Sequence, residues 1–202
     1  MNLKNIEYIY QIMEKYGRLE LIIGPMYASK TTELIKISNR YKSIQKNILA
    51  VNHKINNRYG TCNIMSHDSK ELDNCKVLTK LSELKEKHLI DEYKSADIII
   101  IEELQFFEDA FDFITEATDI DRKIIIAAGL DGDSNREPFG DVLRLIPYAE
   151  KVTKLSSFCK ICQDGTLGFF TKRLVDNDDK VLVGTTNEFI AVCRRHYLDK
   201  MV

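Results

Sequence analysis

Gly24-Pro25-Met26-Tyr27-Ala28-Ser29-Lys30-Thr31 follows an apolar run, Leu19–Ile23, and opens a segment of helical periodicity, Lys30–Tyr41. A turn between a buried strand and a helix is a ready site for an anion. Backbone N–H groups and the helix N-terminus face the phosphate oxygens, a lysine reaches the β/γ-phosphates, and a hydroxyl ligates Mg²⁺. The stretch misses the pattern G-x-x-x-x-G-K-[ST] at one place, where Ser29 stands for the second glycine. If that position needs a positive φ, serine costs about 1–2 kcal/mol of backbone strain.

Outward from this loop, Ile98–Ile101 and Ile124–Ala128 are further unbroken apolar runs, and Asn47–Val51 is a fourth candidate strand. Short runs of this kind mark strands buried on both faces of a parallel sheet. Helical patterns lie between them at Lys30–Tyr41, Leu78–Tyr93 and Glu108–Thr118. The alternation predicts an α/β fold, a P-loop parallel sheet flanked by helices. Near Glu150 the texture changes: Lys151–Leu155 alternates polar and apolar residues, and Lys180–Val192 is strand-like again. The expected organisation is a helical extension over 1–17, a nucleotide-binding domain over 18–149 and a small metal-binding domain over 150–202. Asn56–Lys76 is polar and suits a loop or hairpin.

Ile98–Ile101 runs into Glu102-Glu103-Leu104-Gln105. Beside a phosphate loop, one carboxylate at a strand end holds Mg²⁺ and a second can accept the proton of the attacking nucleophile. By itself the pair would also suit a solvated helix N-terminus.

Cys159-x-x-Cys162 and Cys193-x-x-His196 form two ligand pairs about thirty residues apart. Three thiolates and an imidazole make a closed tetrahedral Zn²⁺ set, structural rather than catalytic because no position stays open. Cys62 and Cys75 lack such spacing and read as reduced thiols.

The bulk properties agree with an enzyme in solution. The 202 residues carry a net charge of −2, which favours neither nucleic acid nor an anionic membrane. No segment approaches the roughly 20 apolar residues of a membrane span, and Asn2–Tyr16 builds no apolar run of a signal peptide. Five cysteines do not frame disulfides in a chain of this length, so a cytoplasmic location is expected. A rival reading is a zinc-ribbon module for nucleic acid on a degenerate P-loop domain, with Lys172-Arg173 and Arg194-Arg195 as local positive charge.

Gly24–Leu34, Glu103–Phe107, Leu130–Gly140, Phe158–Cys162, Thr171–Leu174 and Val192–Tyr197, in this order, resemble the cytosolic, zinc-containing thymidine kinase family. The resemblance implies a P-loop domain with a zinc-bound lasso domain, and transfer of the ATP γ-phosphate to the 5′-hydroxyl of thymidine. It implies Glu103 as the general base, Lys30 and Thr31 on the phosphates and Mg²⁺, and Arg58 near the transferring phosphate. Gly24 to Thr31, with Glu102 and Gln105, would serve ATP and its metal. Thymine would lie against Met26, Phe106, Leu130 and Phe139, near Thr171, under a lasso that uses Lys180 and Leu182 with Phe189 beside it. A homotetramer and feedback by dTTP are implied in the same way. Five positions depart from the family pattern: Ser29 for glycine, Glu102 and Asn56 for aspartate, Ser134 for an aromatic, and Phe189 for tyrosine. They bear on substrate affinity and breadth more than on the reaction itself.

Overall fold

The computed structural model describes residues 16–56, 64–65, 71–72, 75–175 and 188–199. The expected helix at the N-terminus lies outside them apart from residues 16 and 17. Arg58, Lys180, Leu182 and most of the lasso also lie outside them.

Six strands form one sheet: β1 (Arg18–Ile23), β2 (Ile48–His53), β5 (Cys75–Leu78), β6 (Ile98–Ile101), β7 (Ile124–Gly129) and β8 (Lys151–Lys154), in the order β5-β2-β6-β7-β1-β8. Every pairing within it is parallel. The period of two in each strand divides its side chains between two cores. In β6, Ile98 and Ile100 enter one core and Ile99 and Ile101 the other, all fully buried. The first core is closed by α1 (Lys30–Lys42), through Leu34, Ile35 and Ile37. The second is closed by α3 (Ala110–Asp119), through Phe113, Ile114 and Ala117, and by Leu81, Leu84 and Tyr93. Fully burying one such isoleucine or leucine contributes about 1.5–3 kcal/mol, so this double-sided core is the main source of stability.

Leu78–Tyr93 is not one helix. Leu78 ends β5, a 3₁₀ turn spans Leu81–Lys85, and α2 spans Ile90–Ser95. Carboxylates take the N–H groups at the start of the 3₁₀ turn, which have no partner within it. Glu83 accepts from Thr79 and Lys80 at 2.8 and 2.7 Å, and Asp109 accepts from Leu81 and Ser82 at 3.0 and 2.9 Å. Within the polar stretch after β2, β3 (Ile64–Met65) pairs antiparallel with β4 (Glu71–Leu72), as a hairpin would.

β8, expected to begin the small domain, pairs with β1 at the edge of the large sheet. Beyond it come two antiparallel pairs: β9 (Ser157–Phe158) with β10 (Leu167–Gly168), and β11 (Phe170–Arg173) with β12 (Phe189–Val192). The short helix α4 (Arg194–Leu198) follows β12 directly. Lys160 N–H donates to Ala191 O at 2.9 Å and ties the two pairs together.

Candidate active site

The register places Ile23 beside Gly129 and Ile101 beside Ala127, so β1, β7 and β6 end side by side. Loops leaving the carboxyl ends of neighbouring parallel strands form the natural crevice for a ligand in such a sheet.

The loop after β1 is fixed by three backbone features. Gly24 has φ 147°, and a Cβ there would come within 2.6 Å of Leu155 O. Tyr27 and Ser29 hold φ 63° and 59°. Ser29 therefore occupies the left-handed conformation that the missing glycine would adopt freely, at about 1–2 kcal/mol. Met26 N–H donates to Thr171 Oγ1 at 3.1 Å, which joins the loop to β11. Lys30 Nζ donates to Pro25 O at 2.8 Å. Burial holds its ammonium below the ordinary value, against the opposing attraction of Glu103, Glu102 and Asp131.

Thr31 Oγ1 donates to Glu102 Oε1 at 2.7 Å, while Glu102 Oε2 is buried without a partner. Burial, then the neighbouring Glu103, push the Glu102 carboxyl up to about 8. A hydroxyl and a buried carboxylate with an unused oxygen are the hard donors that Mg²⁺ takes, so the residues fit that ion.

Glu103 sits at φ 56° and ψ 44°, turning the chain sharply after the acidic pair. Gln105 is almost fully buried and uses both ends of its amide. Nε2 donates to Glu103 Oε2, and Oε1 accepts from Leu130 N–H at 3.0 Å. Two glycines make room for it: a Cβ on Gly140 would meet Gln105 O at 2.4 Å, and one on Gly129 would meet its Oε1 at 2.9 Å. Phe106 packs edge-on against Phe139 with centroids 5.5 Å apart.

One cavity of about 400 Å³ joins these parts. Its lining includes Met26, Tyr27, Ala28, Ser29, Lys30, Thr31, Glu102, Glu103 and Gln105, together with Phe106, Leu130, Phe139, Thr171 and Phe189. Gly24 and Pro25 shape the loop from behind without lining the cavity. Thr32, Gly132, Asp133, Ser134 and Arg173 also line it. Arg173 follows Thr171 by two positions on β11, so strand alternation already placed it on the same face. Asp133 carried no signal of its own in the sequence.

Cys159, Cys162, Cys193 and His196 converge away from this cavity, their donor atoms all within 4.8 Å of one another. Cys162 Sγ lies 3.3 Å from His196 Nδ1 and 3.9 Å from Cys193 Sγ, and Cys159 Sγ and Cys193 Sγ each lie 3.5 Å from that nitrogen. An ion about 2.3 Å from sulfur and about 2.0 Å from nitrogen gives tetrahedral edges of roughly 3.5–3.8 Å, so the set fits one metal ion. Among the described residues no helix is long and apolar enough to cross a membrane.

A family model described as thymidine kinase matches residues 17–197. A thymidine kinase of Oryza sativa subsp. japonica is 38% identical over 187 residues, covering 92% of this chain and 68% of its own. Thymidine kinase a of Arabidopsis thaliana is 36% identical over 182 residues, covering 90% and 75%. The thymidine kinase of Vaccinia virus (strain Western Reserve) is 36% identical over 183 residues, covering 91% and 98%. A solved DNA replication initiation factor overlaps 76% of this chain and 46% of its own at a TM-score of 0.42 and 17% identity, too distant to bear on fold or function. With the loop after β1 and an acidic pair at one end of a parallel sheet, a Cys/His cluster that could hold a metal ion beyond it, and a family match over nearly its whole length, the chain belongs to the thymidine kinase family of ATP-dependent phosphotransferases.

Proposed function

We propose that the chain transfers the γ-phosphate of ATP to the 5′-hydroxyl of thymidine in deoxynucleotide salvage, deoxyuridine being accepted as well, with Glu103 as general base. The observation that carries this reading is a cavity lined by Glu103 together with Lys30 and Thr31 and with Phe106, Leu130 and Phe139. Phosphoryl transfer needs little covalent help from the protein. It needs in-line positioning and positive charge around the equatorial oxygens.

The loop from Gly24 to Thr31 would cradle the phosphates with its N–H groups, and Lys30 would exchange its bond to Pro25 O for the β/γ-oxygens. Mg²⁺, held by Thr31 and Glu102, would supply charge neutralisation across those phosphates. Gln105 holds the Glu103 carboxylate in one orientation, ready to accept the hydroxyl proton. Thymine would stack among Phe106, Phe139 and Leu130, with Met26, Thr171 and Phe189 completing the enclosure. Arg58, Lys180 and Leu182 keep the roles that the family resemblance gives them: charge on the transferring phosphate and main-chain contacts to the base. Zn²⁺ suits the Cys₃His set, with a structural task. A cytoplasmic homotetramer under feedback by dTTP belongs to the same reading and rests on family membership.

The test is thymidine-dependent ADP release from Mg-ATP, run beside Glu103→Gln and against the other deoxynucleosides. Turnover confined to thymidine and deoxyuridine is expected, with kcat about 10²-fold lower in the variant and thymidine binding preserved. Near-wild-type turnover of Glu103→Gln would remove that residue from the role. Absence of turnover with any nucleoside would remove the reading itself.

A further inference from the structure

The hairpin that carries Asp133 and Ser134 is held internally by one bridge and a few short hydrogen bonds. Asp133 Oδ1 accepts from Asn135 N–H and Glu137 N–H at 2.8 and 2.9 Å, Asp133 N–H donates to Glu137 O at 2.9 Å, and Gly132 bridges Pro138. Asn135, Arg136, Glu137 and Pro138 are exposed, and Arg136 turns at φ 66°. A two-residue ladder of this kind is only marginally stable by itself. Its position over the cavity must come from what grips its tip.

The grip comes from the metal-binding module. Tyr197, the residue after His196, donates its hydroxyl to Ser134 O at 2.8 Å. The Arg136 guanidinium lies 4.6 Å from the centre of the Tyr197 ring and 5.9 Å from that of Phe170. Phe170 packs on Tyr197 at 5.4 Å and carries Arg194 over it at 4.8 Å. Lys172 closes the far end of α4, donating to His196 O and Asp199 O at 2.6 Å each. The helix that holds Tyr197 is five residues long, too short to be rigid alone. Its first turn begins at Cys193 and contains His196, both members of the four-donor cluster, so a bound ion fixes the turn from which Tyr197 projects.

We infer that Tyr197 is a positioning residue for the nucleoside: it transmits the rigidity of the metal centre to the hairpin and thereby sets the wall of the cavity at Asp133 and Ser134. The inference rests on the reading that the nucleoside base occupies the part of the cavity bounded by Phe106 and Phe139. It assigns Tyr197 to nucleoside affinity and not to the phosphate chemistry, because its hydroxyl is bonded to the hairpin backbone and not to the phosphate loop.

Tyr197→Phe keeps the ring and its stack with Arg136 and deletes the hydroxyl. The expected result is a KM for thymidine raised about fivefold, the loss of one net hydrogen bond. Calorimetric thymidine binding without ATP should weaken by the same factor. The kcat and the KM for ATP should stay within about twofold, metal content by elemental analysis should be unchanged, and amide exchange should quicken over 132–138. An unchanged thymidine KM, or a parallel fall in kcat and both affinities with a lower Tm, would overturn the inference in favour of a general structural role. Arg136→Met, which removes the hairpin's own cation from the face of the Tyr197 ring, should give the same split between KM and kcat and keeps the test decisive if the first variant folds poorly. A wild-type enzyme without thymidine turnover would instead overturn the parent reading, an outcome separate from either variant.

Discussion

At the scale of single residues, the site is built by backbone strain and by burial. Tyr27, Ser29 and Glu103 all sit at positive φ without being glycine, and all three line the cavity. Strain gathered at such a place persists because the surrounding structure fixes it, here through Thr171, Thr31 and Gln105. His53, at the end of β2, shows the burial effect. Its ring packs edge-on to Phe107 at 4.7 Å, its Nδ1 accepts from Ile55 N–H at 3.1 Å, and its Nε2 donates to Thr79 O at 3.2 Å. Burial holds the imidazole below its ordinary value, outweighing the Thr79 carbonyl and the acids Glu103, Asp109 and Glu108. The sign follows: the unfolded chain binds the proton more tightly, so this group's stabilisation is complete above about pH 6.5 and is lost as pH falls through the depressed folded value. The melting temperature of the wild type should therefore drop more steeply between pH 7.5 and 5.5 than that of His53→Asn. Parallel profiles for the two proteins would show that His53 is not the group responsible.

At the scale of elements, the turn after β7 depends on Gly140 as much as on any side chain. Its φ is 58°, and a Cβ would sit 2.4 Å from Gln105 O. Gly140→Ala adds left-handed strain to a backbone collision, and should lower stability by about 2–4 kcal/mol in denaturant unfolding. It should also lower kcat, because Gln105 and then Glu103 must shift. Gly165→Ala is the control: φ is 90° but nothing lies within 4 Å, so strain acts alone and the loss should be smaller, with kcat unchanged. The elements that sequence made legible are those whose pattern is local. Ile98–Ile101 and Ile124–Ala128 could only be buried strands, and the loop between β1 and α1 announced itself by spacing. Leu78–Tyr93 was misleading because its apolar periodicity continues across Glu83 and Glu86. The turn starts on N–H groups taken by Glu83 and by Asp109, which is distant in sequence, and it stops where Glu86 becomes extended. The partner of β8 was hidden for a related reason. Its exposed, alternating residues resemble a small-domain strand, and only its pairing with β1 shows where it belongs.

At the scale of the whole molecule, the sheet and the residues beyond Leu155 differ in how much core they own, and both contribute to the lining of the cavity. The sheet buries two extensive apolar cores. Among the described residues beyond Leu155 the buried apolar ones are few (Cys159, Phe189, Ala191 and Val192), while Phe158, Ile161, Leu167 and Phe169 remain exposed. A segment with so little core would gain most from a metal ion held by its Cys/His cluster. Metal removal by a chelator should accelerate amide exchange over 157–198 while β1, β6 and β7 stay protected. Uniform protection in both parts after verified loss of metal would mean that the ion contributes little to the fold. The Cys/His cluster was legible because its spacing is local, whereas the bond from Tyr197 to the segment beside Asp133 joins distant parts of the chain and no local pattern encodes it. The bond from Tyr197 has one more consequence. It is made to the carbonyl of Ser134, a group that every amino acid carries, so the anchor does not depend on what side chain stands there. Position 134 can thus be rewritten by mutation, small or aromatic, without unmooring the hairpin. A change there would reshape the cavity wall while the anchor that holds the hairpin stays in place.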